Sequence, residues 1–250
     1  MNVVCVIQTR MGSTRLPGKV LLDLQGKPMI QQIIDRVSDA KTIHHIVIGI
    51  TALPEDDAII KVVDGYRSNV SVFREDPARP RDLLDLYYQA AKHAHADIVV
   101  RVTSDCPLID PEILDRLVQM LIDQPEVEYT SNVLGELTFP RGLDAQVIRF
   151  KTLERIWNES KDPEDREHVT LYLRKHPELF KTDKITHEPN LAFHRWTVDD
   201  PRDYELIRII YERLYKTNPH FRMKDVLGVF EREPKLIEIN SEVIQKLSQY

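Results

Sequence analysis

The sequence predicts an α/β protein in which helices cover both faces of a mostly parallel sheet, and three observations support this fold class. Short apolar runs recur along the chain, and segments with helical spacing separate them, which is typical of βαβ units. The runs are almost continuously apolar, as strands buried on both faces require. A length of 250 residues with 42% hydrophobic residues provides a sizeable core. We therefore predict a three-layer α/β/α sandwich with a Rossmann-like sheet.

The first half of the chain follows this rhythm closely. Its predicted strands are 3–7, 44–51, 70–73 and 98–102. Its predicted helices are 29–37, 54–63, 83–94 and 111–122. Pro54 opens the second of these helices, where proline suits the first turn because no N–H is needed there.

The rhythm is interrupted after residue 122. Residues 127–150 are strand-like but irregular, helices are predicted at 152–159 and 164–175, and a strand pair with a Pro–Asn turn is predicted at 184–198. Residues 201–250 are predicted to be mainly helical. Because no composition shift or repeat marks a boundary, we expect one domain, 1–250, with an inserted lobe at about 131–195.

Composition and charge exclude several classes of protein. The formal net charge is −6 and no run of lysine and arginine occurs, which argues against a nucleic-acid partner. Cys5 and Cys106 form no CxxC pair, so neither a disulfide framework nor a cysteine zinc site is expected. The sequence has no apolar run of about 18 residues and no signal-peptide pattern at its start, so we expect no membrane partner and a cytoplasmic protein.

The loop after the first strand has the composition of a phosphate-binding loop. Three cations, Arg10, Arg15 and Lys19, alternate there with Gly, Ser and Thr. Glycine lets the backbone approach an anion, arginine offers a bidentate fork and lysine offers a mobile charge. Ligands of open α/β sheets bind beyond the carboxyl ends of the strands. The loop lacks both common glycine-rich templates, which disfavours a P-loop kinase and a dinucleotide oxidoreductase.

Two aspartates near strand ends have no obvious structural role. Asp110 and Asp200 each precede a proline and read as helix N-caps. Asp105 and Asp199 stand near the same helix starts without such a role. Two carboxylates opposite a cationic loop suit Mg²⁺ bound to a nucleoside triphosphate, since Mg²⁺ prefers one or two carboxylates together with phosphate oxygens.

Several motifs resemble those of the cytidylyltransferases that make CMP-activated sugars, and in particular the spore coat polysaccharide biosynthesis protein F group. VIQTRMGSTRLPGKVL resembles the N-terminal signature of this family, TSDCPLIDP resembles its metal-aspartate motif and WTVDDPRDYELI resembles its second acidic motif. SNVLGELTFPRGLDAQVI and DREHVTLYLRKHPELF extend the resemblance over most of residues 2–215.

The resemblance implies the nucleotide-diphospho-sugar transferase fold and roles for particular residues. CTP phosphates would contact Arg10, Arg15 and Lys19, which are assigned as catalytic, and Mg²⁺ would bind Asp105 and Asp199. The residues assigned to nucleotide binding are Gly12, Ser13, Thr14, Arg74 and Ser104. The chain departs from the family pattern after the third strand, where Glu75 and a proline-containing run replace an Arg–Gly pair and a short polar run. That segment would lie near the base.

The lobe supplies candidates for binding the acceptor and a partner chain. Arg141, Asp144, Gln146 and His168 have the chemistry to bind the carboxylate and hydroxyls of a sugar acid, although each is also typical of a solvated or packing residue. The resemblance implies a dimer made by a comparable region, and an apolar irregular arm would be unfavourable if exposed, so we expect a homodimer. The apolar residues of this arm are Tyr129, Leu134, Leu137 and Phe139.

The predicted activity is transfer of CMP from CTP to an anionic acceptor, for surface polysaccharide or glycoconjugate biosynthesis, and three alternatives stay open. One is a nucleotidyltransferase that uses another nucleotide or a phosphate or phosphonate acceptor. Another is a glycosyltransferase that consumes a sugar nucleotide, although Ser104 and Asp105 do not form the expected Asp-x-Asp motif. The last is a nucleotide-binding protein without catalysis, which would not require both Asp105 and Asp199.

Overall fold

A mixed seven-stranded sheet forms the centre of the computed structural model, which describes residues 1–80 and 82–244. The strands are β1 Val3–Thr9, β2 Asp23–Leu24, β3 Lys27–Pro28, β4 His45–Ile50, β5 Val70–Arg74, β6 Ile98–Thr103, β7 Tyr129–Ser131, β8 Gln146–Arg149 and β9 Thr182–Lys184. The sheet order is β5-β4-β1-β6-β8-β7-β9, and β2 pairs with β3 in a separate ribbon. The predicted fold class is confirmed.

Helices flank the sheet. They are α1 Met29–Ser38, α2 Asp57–Val63, α3 Leu83–His93, α4 Pro111–Asp123, α5 Phe150–Glu159, α6 Pro163–Glu167, α7 Leu171–Lys175, α8 Pro201–Leu214 and α9 Met223–Arg232. Short 3-10 turns cover Lys19–Leu21, Pro54–Asp56 and Pro234–Glu238. No helix of the described residues is long and apolar enough to cross a bilayer.

The alternation of side chains along β1 explains the three layers. Cys5 and Ile7 face a core built with α1, α2, α4, α8 and α9, whereas Val4 and Val6 face a second core built with α3, α5 and α7. Successive side chains of a strand point to opposite faces, so an almost wholly apolar strand must be covered on both sides. Cys5 is fully buried, as a core residue should be.

The parallel strands end at the same edge of the sheet. β5, β4, β1 and β6 are parallel, so their carboxyl ends meet there, while β8 runs antiparallel to both β6 and β7. β1 and β6 are direct neighbours, and Gln8 lies opposite Thr103. The loop that follows β1 and the loop that follows β6 therefore lie side by side.

Two predicted elements are wrong. The single helix predicted at 164–175 is two short helices, α6 and α7, because Val169 takes a left-handed φ of 55° between them. The strand pair predicted at 184–198 is absent from the described chain, where only β9 joins the sheet and residues beyond it form one isolated bridge, Arg141 to Arg195. Pro189 has no N–H for a ladder, and Asn190 bonds instead to the Leu137 carbonyl.

Three smaller outcomes complete the fold. The predicted helical C-terminus is present as α8 and α9, while residues 245–250 lie outside the described residues, as does Arg81 of the loop after β5. Tyr129 and Phe139 are buried within the chain itself, at 0% and 3% exposure, and Leu134 and Leu137 are half-buried. Exposure of this arm therefore does not support a dimer, and the dimer stays a prediction.

Candidate active site

The loop after β1 folds around Met11. The Met11 carbonyl accepts hydrogen bonds from the amides of Ser13 and Gly18, both at 2.9 Å, and the Met11 amide donates to Asp56 at 2.7 Å. Gly18 has a φ of 70°, which a glycine adopts without strain, and it turns the chain into the 3-10 turn that begins at Lys19. This folding directs Lys19 inward.

The remaining loop residues predicted to bind phosphate stay accessible. Arg10, Gly12 and Thr14 are exposed, and Ser13 is half-buried. A loop that leaves one arginine and one glycine open to solvent at the carboxyl edge of a parallel sheet can receive an anionic ligand from solvent.

Lys19 lies between the two aspartates that sequence reasoning left without a role. Its Nζ is 2.8 Å from Asp199 Oδ1 and 3.5 Å from Asp105 Oδ2, and it donates to the Val198 carbonyl at 2.6 Å. The lysine is 8% exposed. Burial acts to lower the pKa of Lys19, but the two carboxylates outweigh it and raise the pKa above its ordinary value. Lys19 is therefore a fixed cation at this edge.

Asp199 forms ion pairs with three cations. Besides Lys19, it contacts Arg15 through Oδ2 at 2.9 Å and Arg195 through the same oxygen at 3.3 Å. The structure thus brings Lys19, Arg15 and Asp199 together as the sequence predicted, and it adds Arg195. The loop after β1 and the segment before α8 are joined by charge.

Asp203 holds Arg195 and the backbone of Asp199 in place, and it was not predicted from the sequence. It is fully buried and accepts from Arg195 Nε at 2.8 Å and from the amides of Asp199 and Asp200, both at 3.0 Å. Asn240 donates to it at 2.9 Å. The available signal was the D-x-x-D spacing of a capping box at the start of α8, which the structure contains.

Asp105 is held in place by its own strand end. Its Oδ1 accepts from the Thr103 hydroxyl at 2.6 Å, and its carbonyl accepts from the Val198 amide at 2.8 Å. Burial acts to raise the pKa of Asp105, but the Lys19 charge and the Thr103 hydrogen bond lower it below its ordinary 3.8. Asp105 is therefore a carboxylate at neutral pH.

The two helix caps are confirmed. Asp110 accepts from the Glu112 amide at 2.9 Å and Asp200 accepts from the Arg202 amide at 3.1 Å. Asp105 and Asp199, in contrast, both pair with Lys19.

Gly142 joins the predicted lobe to this network. It has a φ of 97°, and a Cβ at this position would lie 2.6 Å from the carbonyl carbon of Trp196. The neighbouring Arg141 donates its amide to His194 and accepts from the Trp196 amide. Only glycine allows this approach, which holds the two segments together. Trp196 itself is fully buried in the core.

The other predicted residues are distributed around the site. Asp144 lies near Cys106, where its charge adds to burial and to Asp105 in raising the pKa of the thiol. Gln146 is buried and accepts from the Thr170 hydroxyl at 3.0 Å. His168 lies in the turn between α6 and α7. Ser104 is buried directly before Asp105.

Arg74 is the last residue of β5 and Glu75 follows it; β5 is separated from β1 by β4. Arg74 donates to the carbonyls of Thr51 and Leu53 and pairs with Asp57. Glu75 is 8% exposed and accepts from the Ala52 amide at 3.1 Å. The residue at which the chain departs from the family pattern is therefore packed against the loop after β4.

The donor set fits a magnesium ion that carries a polyphosphate. Asp105 and Asp199 contact the same lysine nitrogen from two sides, and Mg²⁺ commonly takes one or two carboxylates with phosphate oxygens and water. No group of three or more His, Cys, Asp or Glu side chains is arranged to hold a metal in residues 1–80 and 82–244. A metal at this place would thus depend on the ligand as well as on the protein.

Comparisons with known proteins place the chain in a family. A profile of the cytidylyltransferase family matches residues 4–244. Spore coat polysaccharide biosynthesis protein SpsF of Bacillus subtilis (strain 168) is 30% identical over 243 residues, which are 93% of this chain and 95% of that protein. A 3-deoxy-manno-octulosonate cytidylyltransferase of Geobacter sulfurreducens is 30% identical over 184 residues, which are 74% of this chain and 66% of that protein. The solved structure of a cytidylyltransferase from Leptospira borgpetersenii superposes with a TM-score of 0.88 at 32% identity and covers 98% of this chain and 100% of its own.

Proposed function

The chain belongs to the cytidylyltransferase family, whose members are nucleotidyltransferases, and on this premise we propose that it transfers CMP from CTP to a sugar acid or a related anionic acceptor and releases pyrophosphate. The observation that carries the proposal is the position of Lys19 between Asp105 and Asp199 at the carboxyl edge of the sheet. The names of two relatives, one acting on 3-deoxy-manno-octulosonate and one involved in spore coat polysaccharide, support a sugar acid acceptor and a role in surface polysaccharide biosynthesis.

The proposed reaction is a displacement at the α-phosphorus of CTP. An acceptor oxygen forms the new bond to phosphorus, the bond from phosphorus to the β,γ-pyrophosphate breaks, and the acceptor hydroxyl loses its proton to solvent. Such transfers depend on positioning and on neutralising phosphate charge, so no protein nucleophile is needed. Lys19 would neutralise the α-phosphate, while Arg10 and Arg15 would hold the leaving pyrophosphate.

The cations of the free protein would change partners when CTP binds. Lys19 and Arg15 are paired with Asp199 in the absence of nucleotide. When phosphate oxygens take over these cations, the carboxylates of Asp105 and Asp199 become available to a metal. We assign Mg²⁺ to these two aspartates, where the bound ion would supply further charge neutralisation for the phosphates.

The test is pyrophosphate release, measured with CTP, UTP and ATP against a panel of sugar acids, aminosugar acids and phosphonates. We expect release that needs CTP, an anionic acceptor and Mg²⁺ together, and that stops when the metal is chelated. Preference for UTP or ATP, or for a neutral acceptor, would contradict the proposal. Nucleotide binding without any pyrophosphate release would favour the non-catalytic alternative instead.

The homodimer is part of the proposal, as the family resemblance implied. Phe193, in the segment before Trp196, is 65% exposed and is the kind of large apolar side chain that a partner chain covers. Light scattering should give twice the mass of the chain. A Phe193→Asp variant should shift that mass toward the monomer, whereas a wild-type monomer would contradict the dimer.

A further inference from the structure

Two arginines on the second sheet face have no carboxylate partner in residues 1–80 and 82–244. They are Arg101 on β6 and Arg174 on α7, together called the arginine pair. Arg101 reaches the Gln146 and Gln8 side-chain oxygens only at 3.5 Å, and its guanidinium carbon lies 5.6 Å from the centre of the Tyr87 ring. The Nε atoms of both arginines are buried and have no hydrogen-bond partner in the described part of the chain.

Three other buried or half-buried arginines are satisfied differently. Arg36 donates to three backbone carbonyls, Arg149 also donates to three, and Arg195 pairs with Asp203. Burial lowers the pKa of Arg174, and the charge of Arg101 lowers it further. Two neighbouring cations without an anion are unfavourable in the free protein, and an anion between them would relieve the repulsion.

Further polar groups surround the arginine pair. The Tyr129 hydroxyl is buried and has no hydrogen bond within standard geometry among the described residues, although the Ser131 and Thr170 hydroxyls are its neighbours. Gln146 is buried beside Arg101 and accepts from Thr170. Donors therefore predominate at this place, and the acceptor they lack would come from a ligand.

The sheet places the arginine pair next to the reaction site. Arg101 and Thr103 are two residues apart on β6, so their side chains lie on the same face, about 7 Å apart along the strand. Thr103 donates to Asp105, and Gln8 lies opposite Thr103. An acceptor whose reacting oxygen is near Lys19 and Asp105 can therefore reach the arginine pair with its own anionic group.

We propose that the arginine pair binds the anionic group of the acceptor, with the Tyr129 hydroxyl as a further donor. This inference rests on the proposed function for the identity of the ligand. Each guanidinium offers parallel N–H donors that match the two oxygens of a carboxylate. The pair would thus select acceptors that carry a carboxylate over neutral sugars. The sequence signal is an arginine inside the apolar strand IVVRVT.

Kinetics separate acceptor binding from nucleotide binding. Arg101→Gln and Arg174→Gln should each raise the KM of the acceptor by about 10- to 100-fold and leave the KM of CTP unchanged, because a charged hydrogen bond is lost on the acceptor side alone. Arg174→Lys, which keeps the charge but not the fork, should fall between. Arg155→Gln, which removes an exposed arginine of α5, is the control. An acceptor KM no higher than that of the control, or an equal rise in the KM of CTP, would overturn the inference.

Thermal unfolding tests the site without any transferase activity. Sodium pyruvate and inorganic phosphate are compared with sodium chloride at equal ionic strength. We expect pyruvate to raise the Tm of the wild type and of Arg155→Gln but not that of Arg101→Gln. A rise with phosphate alone that also disappears in Arg101→Gln would assign the pair to a phosphate-bearing acceptor. Equal shifts in all variants would overturn the inference, and this readout stands even if no pyrophosphate release is found.

Discussion

The molecule contains two groups of cations that have different partners. Lys19 and Arg15 meet Asp105 and Asp199 at short distances. The arginine pair, on the neighbouring face of β6, meets only neutral groups and another cation among the described residues. Both groups lie near the carboxyl edge of one sheet, so the difference is due to their local partners and not to depth in the fold.

The difference shows two ways to prepare a cation for an anionic ligand. Paired cations keep the free protein stable, but a ligand must replace their carboxylates. Unpaired cations need no exchange, but they cost stability until the ligand arrives. The first arrangement suits a highly charged triphosphate with its metal, and the second suits a single anionic group. Four predictions test whether the two groups differ in this way.

The largest effect is expected at Lys19. Lys19→Met should lower kcat for pyrophosphate release by about 1,000-fold, because it removes the fixed cation that faces developing phosphate charge. Circular dichroism should show a folded protein. Lys27→Met, which removes a lysine paired with Asp35 at 2.7 Å on the surface, is the matched control and should stay active. If both variants were equally active, the two cation groups would not differ in catalytic role.

Asp203→Asn should remove the 2.8 Å ion pair of Arg195 while its 3.3 Å contact with Asp199 stays. We expect the free energy of unfolding in urea to fall by about 3–5 kcal/mol, because the change breaks a fully buried ion pair. Asp225→Asn is the control, since it occupies the same capping-box position of α9 without a buried arginine partner, and it should cost about 1 kcal/mol. Equal losses would mean that the cap, not the ion pair, dominates.

Gly142→Ala should disturb the close contact between Gly142 and the Trp196 backbone. Its Cβ would lie 2.6 Å from the Trp196 backbone, and its φ of 97° is unfavourable for alanine, so we expect a loss of about 2–4 kcal/mol. Gly26→Ala has a similar φ of 81° with no atom within 4 Å, and it should lose about 1 kcal/mol from strain alone. Chemical denaturation of both variants measures the difference. A Gly142→Ala variant as stable as Gly26→Ala would contradict the close approach.

The smallest effect concerns pH. The folded pKa of Asp105 is lowered, so its stabilisation is present above its ordinary 3.8 and is lost as the pH falls through the folded value. The pKa of Lys19 is raised, so its contribution persists below its ordinary 10.5 and is lost as the pH rises above it. The stability difference between the wild type and Asp105→Asn should therefore be constant between about pH 5 and 9 and shrink in acid. The stability difference between the wild type and Arg174→Gln should not shrink in acid in this way. If it did, Arg174 would have a carboxylate partner.

Much of the fold could be predicted from local pattern. Val3 to Ile7 is apolar on both sides, so burial between two layers follows from the residues themselves. The failures lie between residues 164 and 198, where the pattern is weak. No local signal shows that Val169 adopts a left-handed φ. The residues after β9 bond to Thr138 and Arg141 instead of to a neighbouring strand. Tertiary contacts decide both features.

The candidate site divides in the same way. Asp105 and Asp199 could be found because their neighbours Asp110 and Asp200 had recognisable capping roles. Arg195 could not, because its buried ion pair with Asp203 forms only when α8 packs on the sheet. Asp203 has a local signal as a capping residue, but that signal does not show its pairing with Arg195. Arg101 has a local signal as a charge inside an apolar strand, but its lack of a partner is visible only in three dimensions.

Asn240 limits when the network around Asp203 can form during synthesis of the chain. It is 3% exposed and donates both to the Arg195 carbonyl and to Asp203. The strands that carry the phosphate loop and Asp105 emerge from the ribosome first, whereas this last bond must wait until residue 240 has left the exit tunnel. A nascent chain would therefore contain β1 and β6 before it can hold Asp199 in place, so productive nucleotide binding is delayed until residue 240 is free to fold.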